Sequence, residues 1–217
     1  MKETMTIALP KGRLLAPAIR LFERCGMKHR GLKTDTRSLV FESPGQDWRF
    51  VIMRDRDVPT YVEYGAADMG IVGKDVLLEE DRDVYEPLDL KFGDCRLVLA
   101  QPNGLGKSRR FRSLSSKTRV ATKYPKITER YFSEKGLPVE IIKLYGSIEI
   151  APWAGLAEQI VDLIATGRTL RENRLSVVET IAESTARLIV NRASLKLKYQ
   201  QVTELIHRLR EKTEATR

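Results

Sequence analysis

The ten residues Val161-Asp-Leu-Ile-Ala-Thr-Gly-Arg-Thr-Leu170 read as an anion site with an acid beside it. A buried strand runs into small residues, and a helix then begins with Thr169 as its N-cap. Ala165, Thr166 and Gly167 turn several backbone N–H groups toward one point, and Arg168 and Thr169 complete the loop. Gly167 brings no Cβ into the path of a phosphate, and the helix dipole adds positive potential. Asp162, just ahead of the loop, suits a different task, accepting hydrogen bonds from the vicinal hydroxyls of a ribose. Loop plus acid is what a 5-phosphoribosyl group needs. The same residues also read as an ordinary strand-to-helix turn capped by Thr169. The segment lacks the Gly-Lys-Ser/Thr ending of a nucleotide P-loop, which argues against Walker-type ATP hydrolysis.

Strands alternating with helices must position such a loop. Apolar runs and turn residues predict strands over Thr6–Pro10, Leu39–Glu42, Trp48–Arg54, Asp68–Val72, Leu88–Leu90, Cys95–Ala100, Arg119–Ala121, Val139–Leu144, Val161–Ala165 and Thr185–Val190. Helical spacing predicts helices over Leu14–Cys25, Val58–Tyr64, Asp75–Glu80, Lys126–Glu134, Ala154–Ile160 and Ser194–Arg210, with a further helix starting at Thr169–Asn173. Pro44-Gly45 marks a turn, and Gln101–Ser116 a polar loop between lobes. The pattern is α/β with mainly parallel sheets. An internal echo suggests two similar lobes. Asp68-Met-Gly-Ile-Val-Gly73 matches Asp162-Leu-Ile-Ala-Thr-Gly167, and two strands end in Lys11 and Lys123 ahead of a helix. Two such lobes would take their ligand in the cleft between them.

The chain has 217 residues, 42% of them apolar and 31% charged, an ordinary globular composition. Its longest stretch without a charge, Leu97–Gly106, is half the length a membrane helix needs, about 20 residues. No apolar signal core opens the sequence, so a cytoplasmic location is expected. Cys25 and Cys95 fit neither a disulfide framework nor a zinc spacing and read as buried small apolar residues. The net charge is +9, and Lys107 to Lys135 holds ten Lys/Arg against two acids. With no nucleic-acid-reading module in the sequence, this excess favours a phosphate-rich ligand or an acidic partner surface over nucleic acid, or is a solvated face.

Longer motifs occur in order from Thr6 to Asn191. They are Ala8-Leu-Pro-Lys-Gly-Arg-Leu14, the run from Asp57 to Asp75, Arg119-Val-Ala-Thr-Lys-Tyr-Pro125, Lys143-Leu-Tyr-Gly-Ser-Ile-Glu-Ile-Ala-Pro152, and the phosphate loop with Leu170-Arg-Glu-Asn173. Together they resemble ATP phosphoribosyltransferase, the first enzyme of histidine biosynthesis. The resemblance implies a two-lobed fold like the type II periplasmic binding proteins. It implies transfer of a phosphoribosyl group from phosphoribosyl pyrophosphate (PRPP) to N1 of the adenine of ATP, with Mg²⁺ carried by substrate phosphates and release of pyrophosphate. Only 26 residues follow Asn191, as in the short form. Short members work as homodimers within a hetero-oligomer, with a regulatory subunit like a histidyl-tRNA synthetase, and with neither nucleic acid nor membrane. Residues 1–98 plus 184–217 are expected to form the ATP-side lobe, and residues 99–183 the PRPP lobe. Arg168 and Arg174 depart from the family pattern, Arg174 standing where Gly is usual. A non-catalytic, solute-binding pair of lobes is the alternative reading.

Three phosphorylated groups need many cations. Lys11, Arg13, Arg37 and Arg54 fall at strand ends or loops of the first lobe, and with Asp68 they form the expected ATP site. Arg13 and Arg37 are the expected charge stabilisers as pyrophosphate leaves. Asp68 reads equally as a structural acid. Glu149, with Asp162 and the loop Ala165 to Thr169, forms the expected PRPP site. Lys123 reads either as reaching the ligand or as surface. N1 of adenine bears no proton to remove, so no general base is required, in keeping with His29 and His207 lying in no catalytic context.

Overall fold

The computed structural model describes residues 4–27, 31–32, 37–42, 47–104 and 117–215. The chain forms two compact units, Met1–Asp94 with Thr185–Arg217, and Cys95–Ser184. The first division falls between strands, whereas a boundary after residue 98 would cut one.

In the first unit, β1 (Met5–Pro10) is wholly buried and lies between β3 (Trp48–Met53) and β4 (Met69–Gly73), parallel to both. β2 (Val40–Glu42), β5 (Tyr85–Asp89) and β11 (Ala186–Val190) complete the sheet in the order β2-β3-β1-β4-β11-β5. Alternation along β1 sends Ile7 and Leu9 to one face and Ala8 to the other. The first face packs on α1 (Leu15–Arg24), whose Leu15, Ala18, Ile19 and Phe22 follow helical spacing. It also packs on α7 (Tyr199–Glu214) through Val202, Leu205 and Leu209. Phe22 and Phe50 meet there with ring centroids 5.1 Å apart. The second face packs on α2 (Val58–Glu63) and α3 (Lys74–Glu80) through Val58, Val62, Val72 and Val76. Gly70 permits this approach, because a Cβ there would lie 2.7 Å from Val58 Cγ1.

In the second unit the order is β10-β6-β9-β7-β8, with β6 Cys95–Pro102, β7 Thr118–Thr122, β8 Val139–Lys143, β9 Gln159–Ile164 and β10 Leu175–Ser184. α4 (Pro125–Glu134) begins with proline in its first turn, where the missing N–H costs nothing. α5 (Arg168–Glu172) follows β9.

Several expectations need correction. Both sheets are mixed, not mainly parallel. The parallel pairs are β1 with β3 and β4, and β7 with β8 and β9. β2 joins β3 by a connection too short for a crossover, so that pair must be antiparallel. Residues 154–160 are not a helix. Gly155 takes a left-handed φ of +71°, and Gln159 and Ile160 already belong to β9, buried between β6 and β7. β10 was not foreseen. The last helix is two, α6 (Arg192–Leu197) and α7, broken at Lys198. The Pro44-Gly45 turn and most of the Gln101–Ser116 loop, with its share of the basic excess, lie outside the described residues. Cys25 and Cys95 are buried, as expected, and Cys95 Sγ lies 3.5 Å from the Ser184 carbonyl.

Candidate active site

Parallel strands put their carboxyl ends on one edge, where open α/β sheets bind ligands. In the first unit that edge carries four cations. Lys11 follows β1, and its N–H donates to the Met53 carbonyl at 2.7 Å, which sets it level with Arg54 after β3. Gly12 then turns the chain with φ +94°, and Arg13 Nη1 donates to the Gly93 carbonyl at 2.6 Å. β2 runs antiparallel to β3, and Ile52 N–H donates to Leu39 C=O at 2.8 Å, so Arg37 falls at the level of Arg54. All four side chains are exposed.

Asp68 does not join them. It precedes β4, at the opposite edge of the sheet. Its Oδ2 accepts from the N–H of Thr6 at 2.8 Å, and Lys11 lies five residue steps, roughly 16 Å of strand, beyond Thr6. Ser194 Oγ donates to Oδ1 at 2.6 Å and Lys198 Nζ lies 3.0 Å away. Buried and supplied with three donors, Asp68 ties β1, β4 and α6 together. The break at Lys198 is where the chain turns that ammonium toward it.

In the second unit, β9 delivers the loop. Asp162 sits two residues before the strand end, half-buried, and its side chain accepts one hydrogen bond, from the Leu163 N–H at 2.8 Å. Burial pushes its carboxyl up from the ordinary value, the neighbouring Glu149 adds to this, and Lys123 opposes it. Thr122 of β7 is in register with Val161, so Lys123 follows level with Asp162. Glu149 lies in a 3-10 turn, Ile148–Ile150, beyond β8 and not on a strand end. It also lines a pocket of about 500 Å³ with Ile150, the exposed Trp153, Glu172, Asn173 and Arg174.

Ala165 and Thr166 are exposed, and the amides of Thr166 and Gly167 have no partner among the described residues. Gly167 holds φ +70° and is itself the cap of α5, so Thr169 is not the N-cap. Thr169 lies within the helix, its carbonyl accepting from Asn173 Nδ2 at 2.9 Å. Arg168 points along the surface to Glu172, at 2.7 Å. Arg171, to which the sequence reading gave no part, reaches back to the carbonyl of Thr166 at 3.2 Å. Its signal was spacing alone, four residues after Gly167 on a helix. Arg174 holds φ +56°, which accounts for the glycine expected at that position.

The two edges fit different chemistry. Four exposed cations suit a polyphosphate. A half-buried acid beside free amides suits a sugar phosphate. The echo holds for the glycines, since Gly73 and Gly167 each cap the helix that follows a strand, but not for the acids, since Asp68 precedes its strand and Asp162 lies within one. Lys11 and Lys123 each follow a strand with a parallel neighbour on both sides.

The model of the HisG family, ATP phosphoribosyltransferase, matches residues 54–211. The ATP phosphoribosyltransferase of Geobacter metallireducens is 57% identical over 209 residues, 96% of this chain and 98% of that protein. That of Symbiobacterium thermophilum is 54% identical over 208 residues, 95% and 94% of the two chains. Among solved structures, the ATP phosphoribosyl transferase (HisG:HisZ) complex from Thermotoga maritima is similar with TM-score 0.84 and 36% identity, covering 98% of this chain and 100% of that one. The periplasmic aliphatic sulphonate binding protein SsuA from Escherichia coli gives TM-score 0.61 at 14% identity, covering 100% of this chain and 70% of that one. This second likeness is one of fold, the two-lobed α/β fold of periplasmic binding proteins. By its sequence, from the family motifs to the identity shared along nearly its whole length, the chain belongs to the ATP phosphoribosyltransferase family.

Proposed function

We propose that the chain transfers the 5-phosphoribosyl group of PRPP to N1 of the adenine of ATP, giving phosphoribosyl-ATP and pyrophosphate, the first step of histidine biosynthesis. The observation that carries this reading is the loop after β9, in a chain of this family: a half-buried acid with one hydrogen bond stands next to unpartnered backbone amides. Asp162 accepts from the ribose hydroxyls, helped by Glu149. The loop from Ala165 to Thr169 takes the 5-phosphate. Lys11, Arg13, Arg37 and Arg54, all in the first unit, hold the polyphosphate of ATP and the leaving pyrophosphate.

The N1 lone pair forms the bond to ribose C1 while the C1–O bond breaks and its electron pair leaves on pyrophosphate. As C1 gains oxocarbenium character, negative charge moves to the leaving group. Arg13 and Arg37 meet that charge more strongly in the transition state than in the ground state. The hydrogen bond to the Gly93 carbonyl fixes where the Arg13 guanidinium stands. Alignment of two bound substrates supplies the remainder, up to about 7–11 kcal/mol in favourable cases.

Enzymes of this family use a divalent metal. Among the described residues no three His, Cys, Asp or Glu converge to cage one. We assign Mg²⁺ to the substrate phosphates, where it neutralises the leaving group. A HisZ-type regulatory subunit, as in the Thermotoga maritima complex, is the proposed partner, with a homodimer of this chain inside a hetero-oligomer. Among the described residues no helix is long and apolar enough to cross a membrane. We place the protein in the cytoplasm.

The test is to incubate the chain, alone and with a HisZ-type subunit, with ATP, PRPP and Mg²⁺. Equal yields of pyrophosphate and N1-phosphoribosyl-ATP support the reading. Tight binding of both substrates with no product in either preparation would instead favour a solute-binding role.

A further inference from the structure

Lys123, Asp162 and Glu149 come together at the carboxyl edge of the second sheet, and the reading above uses only the two acids. Ala121 of β7 is in register with Ile160 of β9, and both lie in one core cluster with Ile148. Side chains alternate along a strand, so Lys123 and Asp162, each two residues further on, emerge on that face and at one level. Glu149 follows Ile148 in the 3-10 turn packed on the same cluster. All three side chains are half-buried. Burial raises the Asp162 carboxyl, the Leu163 N–H and Lys123 oppose this, and Glu149 adds to it. Of the other elements around Asp162, β6 pairs it with the apolar Val98. α5 carries Arg168, paired with Glu172, and Arg171, turned to the Thr166 carbonyl.

A ribose offers vicinal hydroxyl donors, and two carboxylates suit them. Like charges side by side and partly out of water oppose each other's ionisation, and PRPP brings further negative charge to the same edge. A carboxyl that takes a proton turns one of its acceptors into a donor. We propose that Lys123 is a positioning residue of the ribose site, its ammonium balancing Asp162 and Glu149 so that both accept from the ribose hydroxyls while a polyanionic ligand lies beside them. It acts through these carboxylates and not by binding phosphate. This deepens the reading above and rests on it.

The experiment measures Mg²⁺-PRPP binding to the full chain by calorimetry at two pH values. The ligand's own titration is common to every variant, so the ratio of dissociation constants, variant to parent, reports on the protein. Lys123→Met is expected within about twofold of the parent at about pH 8 and about three- to tenfold weaker at about pH 5, the change that a carboxyl shifted by about one unit produces. Lys123→Gln, read beside it in case the apolar end disturbs folding, should behave alike. Lys123→Arg keeps a cation and should follow the parent at both pH values. In the Asp162→Asn chain, where one charge is gone, Lys123→Met should leave the ratio nearly independent of pH. A ratio equal at the two pH values overturns the proposal, being the mark of a residue that only shapes the fold or touches phosphate. So does Lys123→Arg binding like Lys123→Met. Failure of the parent chain to bind PRPP at all would overturn the reaction, a separate and distinguishable result.

Discussion

Asp68 and Asp162 open the same six-residue pattern, acid to glycine, and the fold uses them in opposite ways. Asp68 stands before its strand, buried, with a backbone amide, a hydroxyl and an ammonium on its carboxylate. Asp162 stands near the end of its strand with one donor, and burial raises its carboxyl above the ordinary value. The first holds three donors from within the chain on its carboxylate. The second keeps acceptor capacity at the edge where a sheet takes its ligand. The contrast teaches that position along a strand and unmet hydrogen-bonding capacity mark a site, whereas local pattern does not.

The largest effect that would sharpen this contrast is on stability. Asp68→Ala strands Lys198, Ser194 and the Thr6 amide, and removing one partner of a buried ion pair costs about 3–5 kcal/mol. Calorimetry should show its melting point lower by roughly 6–20 °C, with PRPP affinity unchanged. Asp162→Asn should do the reverse, weakening PRPP binding about 10–100-fold in titration without lowering the melting point. Gly167→Ala forces a side chain into the left-handed region at about 1–2 kcal/mol, so it should melt roughly 2–8 °C lower and bind PRPP less well. The smallest effect is in pH. Because the folded state holds the Asp162 carboxyl above its unfolded value, its contribution to stability is complete below the unfolded value. That contribution is lost as pH rises through the raised one. Asp162→Asn should therefore gain stability relative to the parent above that window and lose the advantage below it. Parallel stability curves for the two would break the comparison.

Much of this was legible in the sequence, where physical signals were local. β1 and α1 declare themselves by a buried apolar run followed by residues at i, i+3, i+4 and i+7. The loop after β9 was readable because small residues, a glycine and an acid each have a chemical reason to stand there. What depended on distant pairing was not. Residues 154–160 read as helical because an apolar run does not say whether helix or strand will bury it, and only β6 and β7 on either side decide for strand. β10 turns mostly partly exposed residues outward along an irregular pairing with β6, so its alternation is faint. The grouping of Arg37 with Arg54 comes from the register of β2 on β3, and the removal of Asp68 from that group comes from contacts more than 60 residues away in sequence. Arg171 was missed because a surface arginine on a helix carries no signal until its direction is known.

One measurement tests the central claim most directly: thermal unfolding of the parent chain, Asp68→Asn and Asp162→Asn, each with and without Mg²⁺-PRPP. At about 100 times Kd the parent chain should gain about 2.7 kcal/mol, roughly 5–10 °C. The account predicts that Asp68→Asn melts lower and keeps this ligand shift, while Asp162→Asn melts no lower than the parent and loses it. A shift that survives in Asp162→Asn and vanishes in Asp68→Asn would contradict it.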